Sequence, residues 1–319
     1  MKQPIYITAA THISPQQPLC EQWMDSPMQL PDMARAIDPE FKQWLNPMRS
    51  RRWDALLKRA VVTSMQVMRD SDVACPDAII TGTGMGCLGS TSAFLSALMR
   101  EGETASQPTH FMQSTHNTIG SLIAMQVGCH GYNTTHAQDQ LSCEVSLVDA
   151  VTLMQAGEAA TVLVGTHDQL LDGQVQLLRR QGVTQPVGEV SVAMMLSTTC
   201  TDNAWCILQD IDMGRIDQLA ARADALLQGV APDAIVIDSS APDAVALYPD
   251  VPCVDYHHLC GVTPAASAFG VYATAACVRH GSFPASMRVD GVNSPLSARR
   301  VLVVGNSDNR FSLILLSAL

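Results

Sequence analysis

The chain has 319 residues, and its 30 acidic side chains outnumber 19 basic ones, which sets a formal net charge of −11. Apolar residues form 47% of the chain and charged residues only 15%, a composition that excludes a disordered protein and indicates a large buried core. The acidic balance makes nucleic acid and anionic membrane poor partners, whereas a basic partner face would suit it.

The chain up to about residue 200 alternates predicted helices with short apolar strands. Residues 14–50 predict loops with short helices. The spacing of apolar residues predicts helices over residues 51–70, 92–100 and 117–127 and within 137–159. Strands are predicted over residues 3–11, 77–84, 132–135, 160–166 and 189–198. Continuous apolar strands that alternate with helices are typical of a sheet buried on both faces.

The rest of the chain repeats this order of elements. The predicted elements are a helix over residues 215–229, a strand over 233–240, an apolar helix over 264–281 and strands over 301–308 and 311–318. We expect one α/β domain over residues 1–319, with an amino-terminal half of about 1–200 and a carboxy-terminal half of about 201–319. Helices that are apolar on most sides predict a layer between two sheets, so the halves would stack as a five-layer α/β/α/β/α sandwich.

Ten cysteines are scattered without CxxC pairs or a metal-ligand spacing. Cys200, Cys206 and Cys277 lie in apolar runs and are predicted to be buried free thiols, as in a reducing compartment. The first residues lack the apolar core of a signal peptide, and no apolar run is long enough to predict a membrane span. We therefore expect a cytoplasmic protein.

Two motifs invite a cofactor or metal interpretation. The stretch GMGCLG at residues 84–89 satisfies the dinucleotide pattern GxGxxG, but it does not follow the first strand of a βαβ unit, so a tight turn of a core fold is favoured. His257 and His258 lie near Cys253 and Cys260 without the spacing of a zinc site. No cofactor and no metal are expected.

Five segments occur in an order that resembles one family. They are RRWDALLKRAV (51–61), ITGTGMGCLGS (80–90), the segment from GYNTTH to VGTHD (131–168), the segment from CGVTPAAS to VDGV (260–292) and GNSDNRFSLILL (305–316). Together they resemble the thiolase fold and, within it, the β-ketoacyl synthases. The resemblance covers most of the chain and agrees with the five-layer sandwich expected above.

The resemblance implies a degenerate active site. Counting back along the shared helix, Gln140 takes the position of the family's nucleophilic cysteine, whereas Cys143 falls one turn later and is expected to be buried. Ser240 and Val262 stand where the family has two catalytic histidines, and His257 stands where it has a supporting lysine. Condensation needs an activated thiolate and donors aimed at a developing oxyanion, so no catalytic residue is expected here.

A glutamine in place of the cysteine is typical of chain-length factors, the non-condensing subunits of type II polyketide synthases. The resemblance therefore implies a subunit that pairs with an active β-ketoacyl synthase as a heterodimer and meets the acyl carrier protein through that partner. The compact chain, with only residues 167–188 between two core strands, is most similar to the aryl-polyene type.

The resemblance also implies where the partner would bind. In such dimers the strand before the nucleophile position pairs with its counterpart, and the segment before it borders the partner's acyl tunnel. The candidate interface and tunnel residues are Phe111, Met112, Thr115, His116, Tyr132, Asn133, Thr134 and Thr135.

Two other functions stay open. One is a divergent acyltransferase or malonyl decarboxylase that uses Cys143. The other is a homodimeric scaffold for carrier proteins, which the acidic net charge disfavours because carrier proteins are acidic as well.

Overall fold

The computed structural model describes residues 3–102, 108–238 and 248–319. Within these residues, ten strands form one hydrogen-bonded sheet, and each half of the chain contributes five. The strands are β1 Ile5–Ile13, β2 Ala78–Gly82, β3 Tyr132–His136, β4 Thr161–Asp168, β5 Val190–Ser197, β6 Cys206–Arg215, β7 Ala234–Ile237, β8 Cys253–Asp255, β9 Arg300–Ser307 and β10 Arg310–Ser317. Two short pairs lie outside the sheet, residues 33–34 with 187–188 and residues 282–283 with 296–297.

The strand order of the first half recurs in the second. The orders are β3-β2-β4-β5-β1 and β8-β7-β9-β10-β6, and in both the first three strands are parallel and the last two antiparallel to their neighbours. The halves join where Ile5, Tyr6 and Ile7 of β1 pair with β6. This recurrence confirms the predicted pseudo-repeat.

The helices lie in three layers around the sheet. In the described residues they are α1 Pro47–Ser50, α2 Ala55–Asp70, α3 Leu88–Glu101, α4 Pro108–Met112, α5 Thr118–Val127, α6 Ser142–Gln155, α7 Asp172–Arg180, α8 Leu219–Leu227, α9 His257–Cys260 and α10 Ala266–His280. Helix α2 begins at Asp54, whose carboxylate accepts a hydrogen bond from the Leu57 N–H at 3.0 Å and so caps the first turn.

Successive residues of a strand pack into different hydrophobic cores on the two faces of the sheet. The helices in each core therefore show how the layers are arranged. In β2, Ile79 packs with α2 and α5, whereas Ile80 packs with α6 and α10. In β7, Ile235 packs with α8, whereas Val236 belongs to the central core. Helices α6 and α10 therefore lie between the two half-sheets, and α10 is buried from Ala266 to Val278 because both its faces meet a sheet. The α/β/α/β/α prediction is confirmed.

Five of these strands and helices were not predicted from the sequence, namely β6, β8, α4, α7 and α9. The prediction that Cys200 is buried is wrong, because this residue lies in the exposed connection between β5 and β6, whereas Cys206 and Cys277 are buried as expected. No helix among the residues described here is long and apolar enough to cross a membrane.

Candidate functional site

Three of the sequence-predicted positions surround one pocket at the ends of central elements. Gln140 lies in the single 3-10 turn that precedes α6, Val262 lies in the loop before α10, and His257 begins α9. Together with Asp238, which follows β7, they line a cavity of about 200 Å³. The structure therefore brings together Gln140, Val262 and His257, whereas Ser240 lies outside the described residues.

The turn that carries Gln140 has an unusual backbone. Asp139 has φ +51°, in the left-handed region that few residues other than glycine adopt. The Gln140 carbonyl accepts a hydrogen bond from Ser267 Oγ at 3.3 Å. Gln140 itself is exposed and lines the cavity. A Cβ atom on Gly84 would lie 2.3 Å from Pro264 Cβ, in the loop before α10, and 3.3 Å from Asp139 Cα of this turn. The close approach gives the glycine of the GMGCLG motif a packing role.

The N–H groups of the same glycine-rich turn are occupied by a carboxylate. Buried Asp168 accepts hydrogen bonds from the Gly84 N–H at 2.9 Å, the Met85 N–H at 2.8 Å and Thr83 Oγ1 at 2.9 Å. Burial raises the pKa of Asp168 to about 6 although these donors oppose the rise. Because the Asp168 carboxylate takes the donors that a phosphate would use, the core-turn interpretation of this motif is favoured.

Cys143 lies in the first turn of α6, in the central core and 0% exposed. Burial, together with the carboxyl group of Glu144, raises the pKa of its thiol well above the ordinary value. The prediction that Cys143 is buried is confirmed. A protonated thiol without access to the cavity has neither the charge nor the position of an acyl-accepting nucleophile.

His257 is held by two carboxylates at the edge of the cavity. Its Nδ1 lies 3.1 Å from Asp255 Oδ1, and its Nε2 lies 3.4 Å from Asp238 Oδ1. Burial alone would lower the pKa of His257, but the hydrogen bond with Asp255 and the charges of both carboxylates outweigh it and raise the pKa. The two carboxylates thus favour the positively charged form of His257, at the position where the resemblance implies a lysine.

Replacing His257 by glutamine is expected to reduce the free energy of unfolding by about 1–2 kcal/mol, because two part-buried carboxylates lose their shared cation. A folded-state pKa above the unfolded value gives stability that is present below the unfolded pKa and is lost as the pH rises through the folded pKa. Urea denaturation should therefore separate wild type from variant more at pH 6 than at pH 9. A difference in the free energy of unfolding that grew with pH would contradict a raised pKa of His257 in the folded chain.

Another buried carboxyl group, that of Glu144, lies beside the cavity and was not predicted from the sequence. Glu144, in the first turn of α6, is 2% exposed and accepts hydrogen bonds from Ser267 Oγ and Ser312 Oγ, each at 3.2 Å. Burial raises the pKa of Glu144 to about 7. The available signal was an acidic residue at the start of a helix that is otherwise apolar on most sides.

A larger cavity of about 430 Å³ adjoins the first and shares Gln140 and Val262 as lining residues. Helix α7 covers it with Leu177 and Leu178. The connection after α7 is fixed to the site by the Gly188 N–H, which donates to the Val262 carbonyl at 3.0 Å. The short segment 167–188 thus still forms a cover over this part of the molecule.

The predicted interface residues lie on one surface at the end of the sheet. Strand β3 is the last strand, and Tyr132 on it is 46% exposed. Asn133 of β3 donates to the Gly120 carbonyl of α5 at 3.0 Å, and Thr118 of α5 donates to the Met112 carbonyl at 3.1 Å. Helix α3 packs against α4, where the rings of Phe94 and Phe111 lie 5.3 Å apart. Exposed residues of β3, of α3 to α5 and of the connection from α4 to α5 include Leu95, Met99, Phe111, Met112, Thr115, His116, Met125 and Tyr132. We call this set the β3 surface.

The family model described as the N-terminal domain of β-ketoacyl synthases matches residues 21–226, which is more than half of the chain. The chain belongs to the β-ketoacyl synthase family. No curated protein matches the chain in sequence.

Solved structures match this β-ketoacyl synthase family member over almost its whole length. The ishigamide ketosynthase/chain length factor matches with a TM-score of 0.83 and 16% identity, covering 100% of both chains. The ketosynthase ApeO in complex with its chain length factor ApeC from Xenorhabdus doucetiae matches with a TM-score of 0.79 and 14% identity, covering 99% of this chain and 98% of the other. A β-ketoacyl synthase from Burkholderia phymatum STM815 has a TM-score of 0.79 at 12% identity and full coverage of both chains. These likenesses agree on the fold.

Proposed function

We propose that the chain is a catalytically degenerate, ketosynthase-like subunit, a chain-length factor of type II polyketide biosynthesis. In this role it pairs with an active β-ketoacyl synthase and shapes the tunnel in which the acyl or polyene chain grows. The acyl carrier protein meets the complex through the partner. The compact chain favours an aryl-polyene product.

The chemistry of the 200 Å³ cavity carries this proposal. Its described lining includes the Gln140 amide, the Val262 isopropyl group and the His257 imidazole, and no thiol. The imidazole is held between Asp255 and Asp238, so it is not poised to activate a nucleophile. The position that needs a cysteine for condensation thus offers an amide, which forms no thioester.

The β3 surface supports the pairing with a second subunit. An edge strand offers unpaired backbone groups, and natural proteins protect such edges or pair them. Helix α5, which is hydrogen-bonded to this strand, and helices α3 and α4 carry exposed apolar side chains, among them Met99 at 86%, Met125 at 74% and Met112 at 71% exposure. An apolar surface next to an open strand is suited to a partner of the same fold that adds its own strand.

The relatives support the same assignment. One matching structure is a ketosynthase/chain length factor, another is a ketosynthase in complex with its chain length factor, and a third is a type II polyketide synthase acyl-carrier protein in complex with its ketosynthase bound to the hexaketide. Between them, these structures contain a ketosynthase, a chain length factor and an acyl-carrier protein, which are the classes of subunit in the assembly proposed here.

Co-expression with the active synthase tests the pairing. We expect a one-to-one complex on size-exclusion chromatography and aggregation of the chain when it is produced alone, because the β3 surface is then uncovered. A chain that remains monomeric in the presence of active synthases of this class would contradict the pairing.

The Met112→Trp variant tests the tunnel. An indole at this exposed position is expected to fill tunnel space and shorten the product by one or more extension units, measured by mass spectrometry of the reconstituted reaction. Met28→Trp is the matched control, because Met28 is 50% exposed and outside the β3 surface. An unchanged product from an intact Met112→Trp complex would contradict a tunnel role for this residue.

The alternative, an acyltransferase or decarboxylase that uses Cys143, is not favoured because this thiol is 0% exposed. Incubation with an acyl carrier-protein thioester, followed by peptide mass spectrometry, separates the two functions. The proposed subunit gives no adduct, whereas an acyl group on Cys143 would establish the enzyme.

A further inference from the structure

Two cysteines meet where strands β2 and β3 begin. The parallel register pairs Ala78 with Tyr132, and Cys75 and Cys129 each stand three residues before this pair. Neighbouring strands lie about 4.8 Å apart. A disulfide spans Cα atoms separated by about 4.4–6.8 Å, so two cysteines that precede neighbouring strands by the same number of residues are candidates for one, and the contacts of their side chains decide.

The two thiols also lie near the same hydrogen-bond acceptor. Cys75 Sγ lies 3.7 Å and Cys129 Sγ 3.3 Å from the carbonyl oxygen of Pro76, and the two thiols also interact with each other. The backbone beneath them is closely packed, because a Cβ atom on Gly131 would lie 1.9 Å from the Asp77 carbonyl oxygen. Both sulfur atoms therefore lie beside the same carbonyl oxygen, next to a close approach of the two backbone segments.

The two thiols differ in access, which gives each a distinct role. Cys75 is exposed, whereas Cys129 is 8% exposed beneath it. A small oxidant can reach the Cys75 thiol, and the Cys129 thiol, which interacts with it, is placed to attack it. This combination of an accessible and a resolving cysteine is the arrangement that favours an internal disulfide over a stable adduct.

We propose that Cys75 and Cys129 form a reversible disulfide on reaction with a low-molecular-weight disulfide such as oxidised glutathione. The Cys75 thiolate attacks one glutathione sulfur and releases one glutathione thiolate. The Cys129 thiolate then attacks Cys75 Sγ, forms the Cys75–Cys129 bond and releases the second glutathione. Two cysteine thiols lose two protons and two electrons, and one glutathione disulfide is reduced to two thiols. This site is independent of the proposed function.

Mass spectrometry of the intact, folded chain after treatment with oxidised glutathione tests the site. Burial, Cys129 and Asp77 raise the pKa of the Cys75 thiol, so the reaction is run at pH 8.5 to supply thiolate. We expect the chain to lose two hydrogen atoms, a peptide map to link the segments that contain Cys75 and Cys129, and dithiothreitol to restore both thiols.

Single variants make the order of steps visible. Cys129→Ser should stop at a glutathione adduct on Cys75, Cys75→Ser should form no disulfide, and Cys200→Ser, which removes another exposed thiol, should behave as wild type. A stable adduct on Cys75 in the wild-type chain, a link to a different cysteine, or no reaction of Cys75 would each overturn the proposal. Far-ultraviolet circular dichroism before treatment checks that each variant is folded.

Discussion

Replacing Glu189 by alanine is expected to lower the free energy of unfolding by about 3–5 kcal/mol, the usual loss when one partner of a buried ion pair is removed. Glu189 Oε2 accepts hydrogen bonds from Arg59 Nη1 at 2.9 Å and from the Ala36 N–H at 3.0 Å. Its Oε1 accepts from Arg35 Nη1 at 2.8 Å and from the Leu170 N–H at 3.0 Å. The variant leaves the buried Arg59 guanidinium without this counter-charge and frees the segment that leads to α7.

The loss of stability in Glu189→Ala should depend on pH, and the pKa of Glu189 determines in which direction. Burial alone would raise the pKa of Glu189, but Arg59, two backbone N–H groups and Arg35 outweigh it and lower the pKa. A carboxylate with a depressed folded-state pKa contributes stability that is present above its unfolded pKa and is lost as the pH falls through the folded value. Urea denaturation should therefore show a larger difference between wild type and Glu189→Ala at pH 7 than at pH 3.

Asp172→Ala is the matched control for Glu189→Ala. Asp172 also pairs with Arg35, but its side chain is 83% exposed, so its removal should change the free energy of unfolding by less than about 1 kcal/mol. Equal losses in the two variants would mean that burial of the Glu189 pair does not determine its contribution.

Replacing Glu144 by glutamine is expected to stabilise the chain above neutral pH by up to about 3 kcal/mol. The pKa of Glu144 in the folded state is about 7, so the folded chain retains a proton that the unfolded chain releases at lower pH. The free energy of unfolding of the wild type therefore falls between about pH 4.5 and pH 7. A neutral amide avoids this loss and can still hydrogen-bond to Ser267 and Ser312.

Thermal and urea denaturation at pH 5 and pH 8 measure this effect. The gain of Glu144→Gln over wild type should be large at pH 8 and small at pH 5. Glu158→Gln, on the exposed turn after the same helix, should show no such pH dependence. A Glu144→Gln variant that is less stable than wild type at pH 8 would contradict a costly buried charge at this position.

The sequence predicted the elements that combine an apolar run with burial on both sides. Strands β4 and β9 and helices α6 and α10 have such runs, and their burial in the central core confirms the pattern. Strand β6, CILQDIDMGR, was missed because it mixes apolar residues with Asp and Gln and is only partly buried. Its place in the sheet is determined by pairing with β1 and β10, which are distant in the chain.

The sequence was enough to predict which residues lie at the candidate site, but not the charges and hydrogen bonds of that site. Counting along the helix was enough to predict that Gln140 lies at the candidate site and that Cys143 is buried. The roles of Glu144 and Asp238 could not be predicted, because they arise where separate elements meet. The hydrogen bond from Ser312 of β10 to a carboxylate of α6 joins residues 168 positions apart, and no local pattern encodes such a contact.

The two ends of the ten-stranded sheet are not equivalent. At the β8 end, Val254 forms a bridge with Arg288, and the Val289 N–H donates to the Cys253 carbonyl at 3.2 Å, so that border is already occupied. At the opposite end, no strand among the described residues pairs with the outer side of β3. A sheet with one closed and one open border can be extended once, by a subunit whose own open border then disappears. Under the pairing proposed above, assembly would therefore end at two subunits, and polymerisation into fibres would be blocked.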